Sequence, residues 1–397
     1  MPLVDVDRVG AAPLPTGVPE LDRVLGGGLV PGSVTLVAGE PGMGKSTLLL
    51  QALGQIAGRG ARCLLVSAEE SAAQVRMRAD RLGTLAPDLL VVSETSLPAV
   101  VAHVASCEPV VLAIDSIQTV HDPDAPGAAG SVSQVRDGAQ RLVRLAKDLD
   151  VATLLVGHVT KDGALAGPRT LEHAVDTVLS FEGDRHHALR MLRALKHRYG
   201  STDELGLMEM TERGLLPVDD PSALFLADRR VGATGSVVAP VLEGSRPLCV
   251  EIQALVAPTN APIPRRVAQA LDTNRLSMLV AVLQQHAGLD LSGRDVFVSV
   301  AGGVRVTEPG GDLALALALA GARSERPVDP NTAVIGELGL GGEVRQVPQA
   351  PRRLTEALRL GFTRAIVPAS TPDVRGLTLV RVATVLEALV ATGVRTR

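Results

Sequence analysis

Nine consecutive residues near the start of the chain fit the phosphate-loop pattern G-x-x-x-x-G-K-[ST]: Gly39, Glu40, Pro41, Gly42, Met43, Gly44, Lys45, Ser46 and Thr47. An apolar, strand-like run precedes them at 34–38, and a helix-like run follows at 48–53. In that context, backbone N–H groups of the loop and the helix N-terminus cradle a polyphosphate. Lys45 would reach the β- and γ-phosphates, and Ser46 would hold Mg²⁺. The pattern predicts binding of a nucleoside triphosphate, ATP, with Mg²⁺.

Acidic residues and a histidine stand at the ends of three further apolar runs. Asp115 has the position of a Walker B carboxylate, which would hold Mg²⁺ beside Ser46. Glu69 is our choice for the carboxylate that orients and deprotonates the attacking water. Its neighbour Glu70 is either solvated or caps the next helix. His158 either senses the γ-phosphate through a hydrogen bond or has a purely structural role.

Two loops rich in Gly, Ala and Pro, at 119–133 and 160–169, would leave the carboxyl edge of the sheet, where ligands gather in open α/β folds. Arg136, Lys161 and Arg169 lie in or next to these loops. They either contact DNA phosphates or are ordinary surface charges. Basic residues also cluster between Arg185 and Arg198, with no acidic residue among them.

Composition excludes several classes of protein. Aromatic residues make up 1% of the chain, which argues against nucleic-acid binding through stacked bases. The three cysteines are far apart, so neither a zinc site nor a disulfide framework is expected. A net charge of −4 restricts any contact with DNA to local patches. With no signal-peptide pattern and no membrane-spanning run, we expect a soluble cytoplasmic protein.

The order of elements predicts two domains. Near-continuous apolar strands alternate with helices from 34 to about 210, as in a doubly wound α/β sheet. The pattern then changes to a mixed α+β order. We predict an N-terminal tail at 1–14, an ATPase domain at 15–215, a linker at 216–228 and a second domain at 229–397.

These pieces together resemble the bacterial RadA (Sms) proteins, which are relatives of the RecA recombinase. The matching segments are 15–32, the phosphate loop, 66–71, 115–119, 130–136, 157–163 and 196–200. The last, Lys196-His197-Arg198-Tyr199-Gly200, is similar to the family's K-N-R-F-G box. The resemblance covers about residues 12–390.

The resemblance implies a RecA-like P-loop ATPase, stimulated by DNA, that promotes branch migration in recombination and repair. It also implies a homo-oligomeric ring, a hexamer, that acts on single-stranded or branched DNA with a RecA-type recombinase as partner. In such rings a basic residue of one subunit reaches the γ-phosphate held by its neighbour. Lys196 and Arg198 would have this role in trans.

One departure from the family is large. Its members normally carry an N-terminal zinc finger with four cysteines, and this sequence has no such cluster. Either the chain is truncated or it is a member without the finger. Full branch-migration activity is then in doubt, whereas nucleotide binding should survive.

The second domain resembles the Lon-type protease domain, through segments 246–255 and 308–314. A Lon peptidase needs a serine nucleophile and a lysine base. The nucleophile segment, 308–313, has no Ser, Thr or Cys, and every lysine lies before residue 200. We therefore expect a non-proteolytic scaffold, in which Arg265, Arg266 and Arg305 are either DNA contacts or surface charges.

Two rival functions stay open. A Lon-type ATP-dependent peptidase is disfavoured because the Ser–Lys pair is missing. A RecA-fold signalling ATPase or kinase is disfavoured because such proteins tend to repeat the ATPase unit, and this chain has one.

Overall fold

The computed structural model describes residues 12–158, 170–183 and 188–394 of the 397-residue chain. The chain divides into two compact units, with the boundary between Asp219 and Asp220. Each unit has its own sheet, and we describe each separately.

A nine-stranded sheet forms the centre of the first unit within the described residues, in the order β3-β2-β4-β5-β1-β6-β7-β8-β9. The strands are β1 (Val34–Gly39), β2 (Cys63–Ser67), β3 (Leu89–Ser93), β4 (Val111–Asp115), β5 (Ala152–His158), β6 (Thr177–Gly183), β7 (Leu189–His197), β8 (Leu205–Thr211) and β9 (Gly214–Pro217). The helices are α1 (Pro19–Val24), α2 (Lys45–Ala57), α3 (Ala72–Leu82), α4 (Leu97–Cys107), α5 (Val132–Asp148) and α6 (Thr170–Ala174).

Each face of this sheet is covered by helices. Successive side chains of a strand point to opposite faces, so Val37 of β1 joins the core that contains α2, while its neighbour Leu36 joins the core that contains α5. All residues of β1 and β2 are buried. Burial on both faces requires continuous apolar strands, and this confirms the predicted doubly wound α/β class.

The strand–helix alternation ends earlier than predicted. The six strands β3-β2-β4-β5-β1-β6 are parallel to one another. Strands β7, β8 and β9 then extend the sheet from β6 as successive antiparallel neighbours. Because the connections β7–β8 and β8–β9 are too short to hold a crossover helix, these strands can pair only in antiparallel fashion.

The second unit is the expected α+β domain, built on a seven-stranded sheet in the order β12-β13-β11-β10-β14-β17-β18 within the described residues. Its strands are β10 (Ser236–Glu243), β11 (Arg246–Pro258), β12 (Arg266–Gln269), β13 (Arg294–Val300), β14 (Thr332–Val334), β17 (Arg364–Pro368) and β18 (Thr378–Val382), and a separate hairpin pairs β15 (Glu337–Leu338) with β16 (Val344–Arg345). Its helices are α7 (Pro221–Leu226), α8 (Thr273–Ala287), α9 (Asp312–Ser324), α10 (Ala350–Arg359) and α11 (Val385–Thr392).

The predicted linker at 216–228 differs in the structure. Its first residues belong to β9, and α7 packs within the second unit with Phe225 buried. Ser222 donates a hydrogen bond to Glu356 (2.5 Å), and Asp220 pairs with Arg359 (2.6 Å). These polar contacts hold within the second unit part of the segment that was predicted to be a linker.

A buried ion pair stabilises the second unit and yields a stability prediction. The Arg353 side chain is 1% exposed and forms a bidentate pair with Glu308. It also donates to the carbonyl groups of Pro348 (2.9 Å) and Pro240 (3.3 Å). Because Arg353→Met leaves these acceptors buried without their donor, we expect a loss of about 3–5 kcal/mol in the free energy of unfolding. Denaturant unfolding of the full chain measures it.

The matched control is Arg381→Met. Arg381 pairs with Asp373, whose side chain is 92% exposed, and solvated pairs contribute little to stability. An Arg353 variant that unfolds at the same denaturant concentration as this control would contradict the prediction.

Candidate functional site

The phosphate loop connects β1 to α2, and two of its glycines have a left-handed backbone conformation with positive φ. Gly42 has φ of 82° and Gly44 has φ of 106°, a region that only glycine adopts readily. A Cβ at Gly44 would also lie 2.3 Å from the Met210 side chain. The loop therefore needs glycine both for its backbone conformation and for its packing, and it stands at the N-terminus of a thirteen-residue helix, where anions bind.

Lys45 occupies the centre of this loop. Its Nζ donates to the carbonyl oxygens of Gly39 (2.8 Å) and Glu40 (2.9 Å), and the residue is 4% exposed. Burial lowers the pKa of Lys45, while the nearby carboxylates of Asp115 and Glu69 act in the opposite direction. The arrangement places one ammonium group inside the loop.

Asp115 ends β4 and accepts a hydrogen bond from the Ser46 side chain. Burial raises the pKa of Asp115, and the bond from Ser46 opposes that shift. A hydroxyl and a carboxylate side by side present the hard oxygen ligands that Mg²⁺ prefers. The two residues chosen from the sequence for the metal thus lie together and suit it chemically.

Glu69 and His158 also meet at this edge of the sheet. The His158 Nε2 lies 3.3 Å from Glu69 Oε1, and the Ser116 hydroxyl donates to the same oxygen at 2.5 Å. The order β2-β4-β5-β1 explains the meeting, because the carboxyl ends of these neighbouring parallel strands carry Glu69, Asp115, His158 and the loop. Sequence reasoning selected all four features but did not consider Ser116.

Glu70 does not cap the next helix, and its side chain is 33% exposed. Its carboxylate pairs with Arg78 of α3. The N-terminus of α3 is capped instead by Ser71, in a capping box with Gln74. Arg78 stands nearly two helical turns into α3.

Lys196 and Arg198 lie toward the opposite ends of the strands, on the side of the sheet where β1 begins. Lys196 donates to the carbonyl oxygens of Glu172 (2.8 Å) and Val175 (2.7 Å). Arg198 donates to Asp176 Oδ1 at 3.0 Å, and Asp176 Oδ2 accepts from the Val34 N–H at 3.0 Å. The Arg198 side chain is 51% exposed, so it is the more accessible of the two cations.

Arg190 is a contact of the phosphate loop that sequence reasoning missed. It belongs to the basic cluster 185–198, yet it is 6% exposed and its Nε donates to the Met43 carbonyl at 3.0 Å. The available signal was its strand position, since Arg190 alternates in register with Leu192 and Ala194 on the buried face of β7. A charge at such a position needs a buried partner, and the loop carbonyl is one.

Of the three residues selected for DNA, only Arg136 lies within the described residues. Arg136 lies on α5, where it pairs with Asp137 at 3.2 Å. Lys161 and Arg169 lie outside the described residues. In the second unit, Arg266 donates to the carbonyl oxygens of Arg294 (2.5 Å) and Leu291 (3.3 Å), whereas Arg265 and Arg305 are exposed.

A cleft in the second unit is lined in part by residues of 308–313, the segment predicted to hold a Lon nucleophile. Its lining contains Arg275, paired with the largely buried Asp312, and also Glu308 and Thr307. In this described lining there is no serine, cysteine, histidine or lysine. The cleft therefore lacks the nucleophile–base pair that a Lon peptidase needs.

Two features are absent from the described ranges, 12–158, 170–183 and 188–394. No helix there is long and apolar enough to cross a membrane. No group of three or more His, Cys, Asp or Glu side chains there is arranged to hold a metal ion.

Comparison with known proteins agrees with this organisation. Residues 4–164 match the family model of an AAA domain, and residues 268–371 match that of subunit ChlI of Mg-chelatase. The first match contains the phosphate loop, Glu69, Asp115 and His158. The two matches fit a P-loop ATPase unit followed by a Lon-protease-like unit.

Three relatives named DNA repair protein RadA are similar over almost the whole chain. The one from Streptococcus pyogenes serotype M6 is 49% identical over 366 residues, which is 92% of this chain and 81% of the relative. The one from Bacillus subtilis strain 168 is 46% identical over 98% of this chain and 86% of the relative. That of Streptococcus pneumoniae strain R6 is 48% identical over 96% and 90%. The chain belongs to the bacterial RadA (Sms) family.

Proposed function

We propose that this protein is a DNA repair ATPase that couples ATP hydrolysis to translocation on DNA and to branch migration of recombination intermediates. One observation carries the proposal: Lys45, the Ser46–Asp115 pair, Glu69 and His158 meet at one edge of the first sheet.

The residues at this edge divide the work of hydrolysis. Loop N–H groups and Lys45 would bind the β- and γ-phosphates, and Ser46 with Asp115 would hold Mg²⁺, which supplies charge neutralisation at the phosphates when bound. Glu69 would take a proton from the attacking water. The water oxygen would bond to the γ-phosphorus as ADP leaves. The buried His158 Nδ1 has no hydrogen-bond partner among the described residues, which leaves this side chain able to sense the γ-phosphate.

The position of Lys196 and Arg198 supports action on a neighbouring subunit. The register pairs Lys196 with Val178 of β6, and Val178 with Leu36 of β1. Leu36 stands three residues before Gly39, where the chain's own phosphate loop begins, and three residues of strand rise about 10 Å. The cations therefore serve a nucleotide held by another copy in a ring, which we propose is a hexamer.

The polynucleotide contacts are the remaining part of the proposal. We assign Arg136, Lys161 and Arg169 to the phosphates of single-stranded or branched DNA, since they flank loops that leave the edge carrying the nucleotide. We further propose a RecA-type recombinase as partner and the cytoplasm as the place of action. The family membership supports these assignments.

The deciding experiment measures the ATPase rate with and without single-stranded DNA, together with the mass of the assembly in solution. We expect DNA to raise the rate and nucleotide to favour a closed ring. An unchanged rate combined with autophosphorylation would favour a signalling ATPase instead. Peptide hydrolysis by the purified chain would revive the peptidase interpretation.

A further inference from the structure

Of the two side chains that contact the Glu69 carboxylate, Ser116 and His158, the serine is wholly buried. Ser116 is 0% exposed, and its Oγ lies 2.5 Å from Glu69 Oε1. This separation is typical of a strong hydrogen bond from a hydroxyl to a carboxylate. Glu69 Oε2 accepts no hydrogen bond from the described residues, so one carboxylate oxygen is held and the other is available.

The backbone around Ser116 is fixed on both sides. On one side, the Ala68 N–H donates to the Asp115 carbonyl at 2.8 Å, which joins the ends of β2 and β4. On the other, the Ile117 N–H donates to the Val156 carbonyl at 3.0 Å, which joins the segment to β5. The hydroxyl therefore has a fixed place in the sheet. His158, the second partner of Glu69 Oε1, is a longer side chain and is 29% exposed.

We propose that Ser116 is a positioning residue for ATP hydrolysis. Its O–H holds Glu69 Oε1 so that Oε2 faces the attacking water, while His158 is left to exchange between Glu69 and the nucleotide. The proposal rests on the proposed function of Glu69 as the base. A base that is free to rotate spends less time in the reactive geometry, and a displacement of about 1 Å can cost about 100-fold in rate.

The first test is Ser116→Ala in the full chain. Because Ser116 contacts Glu69 and not the phosphate loop, we expect kcat for ATP to fall about 10- to 100-fold, with the Kd for ATP unchanged. Ser116→Cys keeps a weaker hydrogen-bond donor, so its kcat should lie between that of the wild type and that of Ser116→Ala. Thr153→Val is the matched control: Thr153 is 1% exposed, and its hydroxyl donates to the carbonyl of Val151, two residues earlier in the chain. This variant should leave kcat unchanged.

The second test separates positioning from a general structural effect. In a Glu69→Gln background, adding Ser116→Ala should lower the residual kcat no further, since the positioned base is already gone. An equal fall in both backgrounds, or an unchanged kcat for Ser116→Ala alone, would overturn the role of Ser116 and leave the function of Glu69 intact. Wild-type kcat for Glu69→Gln alone would overturn the assignment of Glu69 itself.

Discussion

Lys45→Ala is expected to remove ATP turnover almost completely, with a fall in kcat of about 100- to 1,000-fold or more. Lys45 supplies the ammonium group inside the phosphate loop, and its present partners, the carbonyls of Gly39 and Glu40, are loop atoms that the phosphates would adjoin. Binding of ATP should weaken as well, because the lost charge faces the phosphates in the ground state. Calorimetric titration and steady-state turnover measure the two effects.

Lys147→Ala is the control for this prediction. Lys147 is exposed in the last turn of α5, so its removal changes the net charge equally without touching the loop. We expect wild-type turnover from the control. Wild-type turnover from Lys45→Ala would refute the assignment of the loop.

Arg198→Ala should leave ATP binding nearly intact while it slows hydrolysis by about 10³-fold or more, the effect of removing an arginine finger. Arg198 lies at the amino edge of the sheet and is half exposed, so it does not contribute to its own chain's nucleotide site. It would instead stabilise charge that develops on the γ-phosphate of a neighbour. Nucleotide affinity and single-turnover rate, measured on the assembled ring, distinguish these steps.

Mixed rings test whether Arg198 acts in trans. Subunits with Arg198→Ala keep an intact loop, and subunits with Lys45→Ala keep an intact Arg198, so mixing should restore hydrolysis at a share of the subunit boundaries. Arg213→Ala, at the exposed turn between β8 and β9, serves as the control for a lost surface arginine. Rings that form but regain no activity on mixing would argue against the trans role.

The positions predicted from the sequence agree with the structure where they depend on local order. The phosphate loop needs glycines at fixed spacing before a helix, and that requirement is written in consecutive residues. Glu69, Asp115 and His158 could be selected because each ends an apolar strand, and parallel strands end at a common edge. The structure brings Glu69 and His158 to 3.3 Å and joins Asp115 to Ser46.

Prediction from the sequence failed where the surroundings of a residue come from distant parts of the chain. Arg190 and Arg198 belong to one basic cluster, yet β7 carries them to opposite ends of the sheet, one against the Met43 carbonyl and the other against Asp176. Glu70 was predicted to be solvated or to cap a helix; it does not cap α3, and its partly exposed carboxylate pairs with Arg78. The number of charged residues in a segment does not reveal at which end of a strand each side chain finds its partner.

The amino-acid order alone thus specified the nucleotide-binding chemistry and the two-domain α/β and α+β plan, because short motifs and the period of apolar residues act over a few neighbours. Tertiary structure decided which partner each polar group receives. It gave Glu69 the buried hydroxyl of Ser116, 47 residues away along the chain, and Arg353 the carboxylate of Glu308. Such pairings arise when strands from separate parts of the chain align, and nothing in the local pattern encodes that alignment.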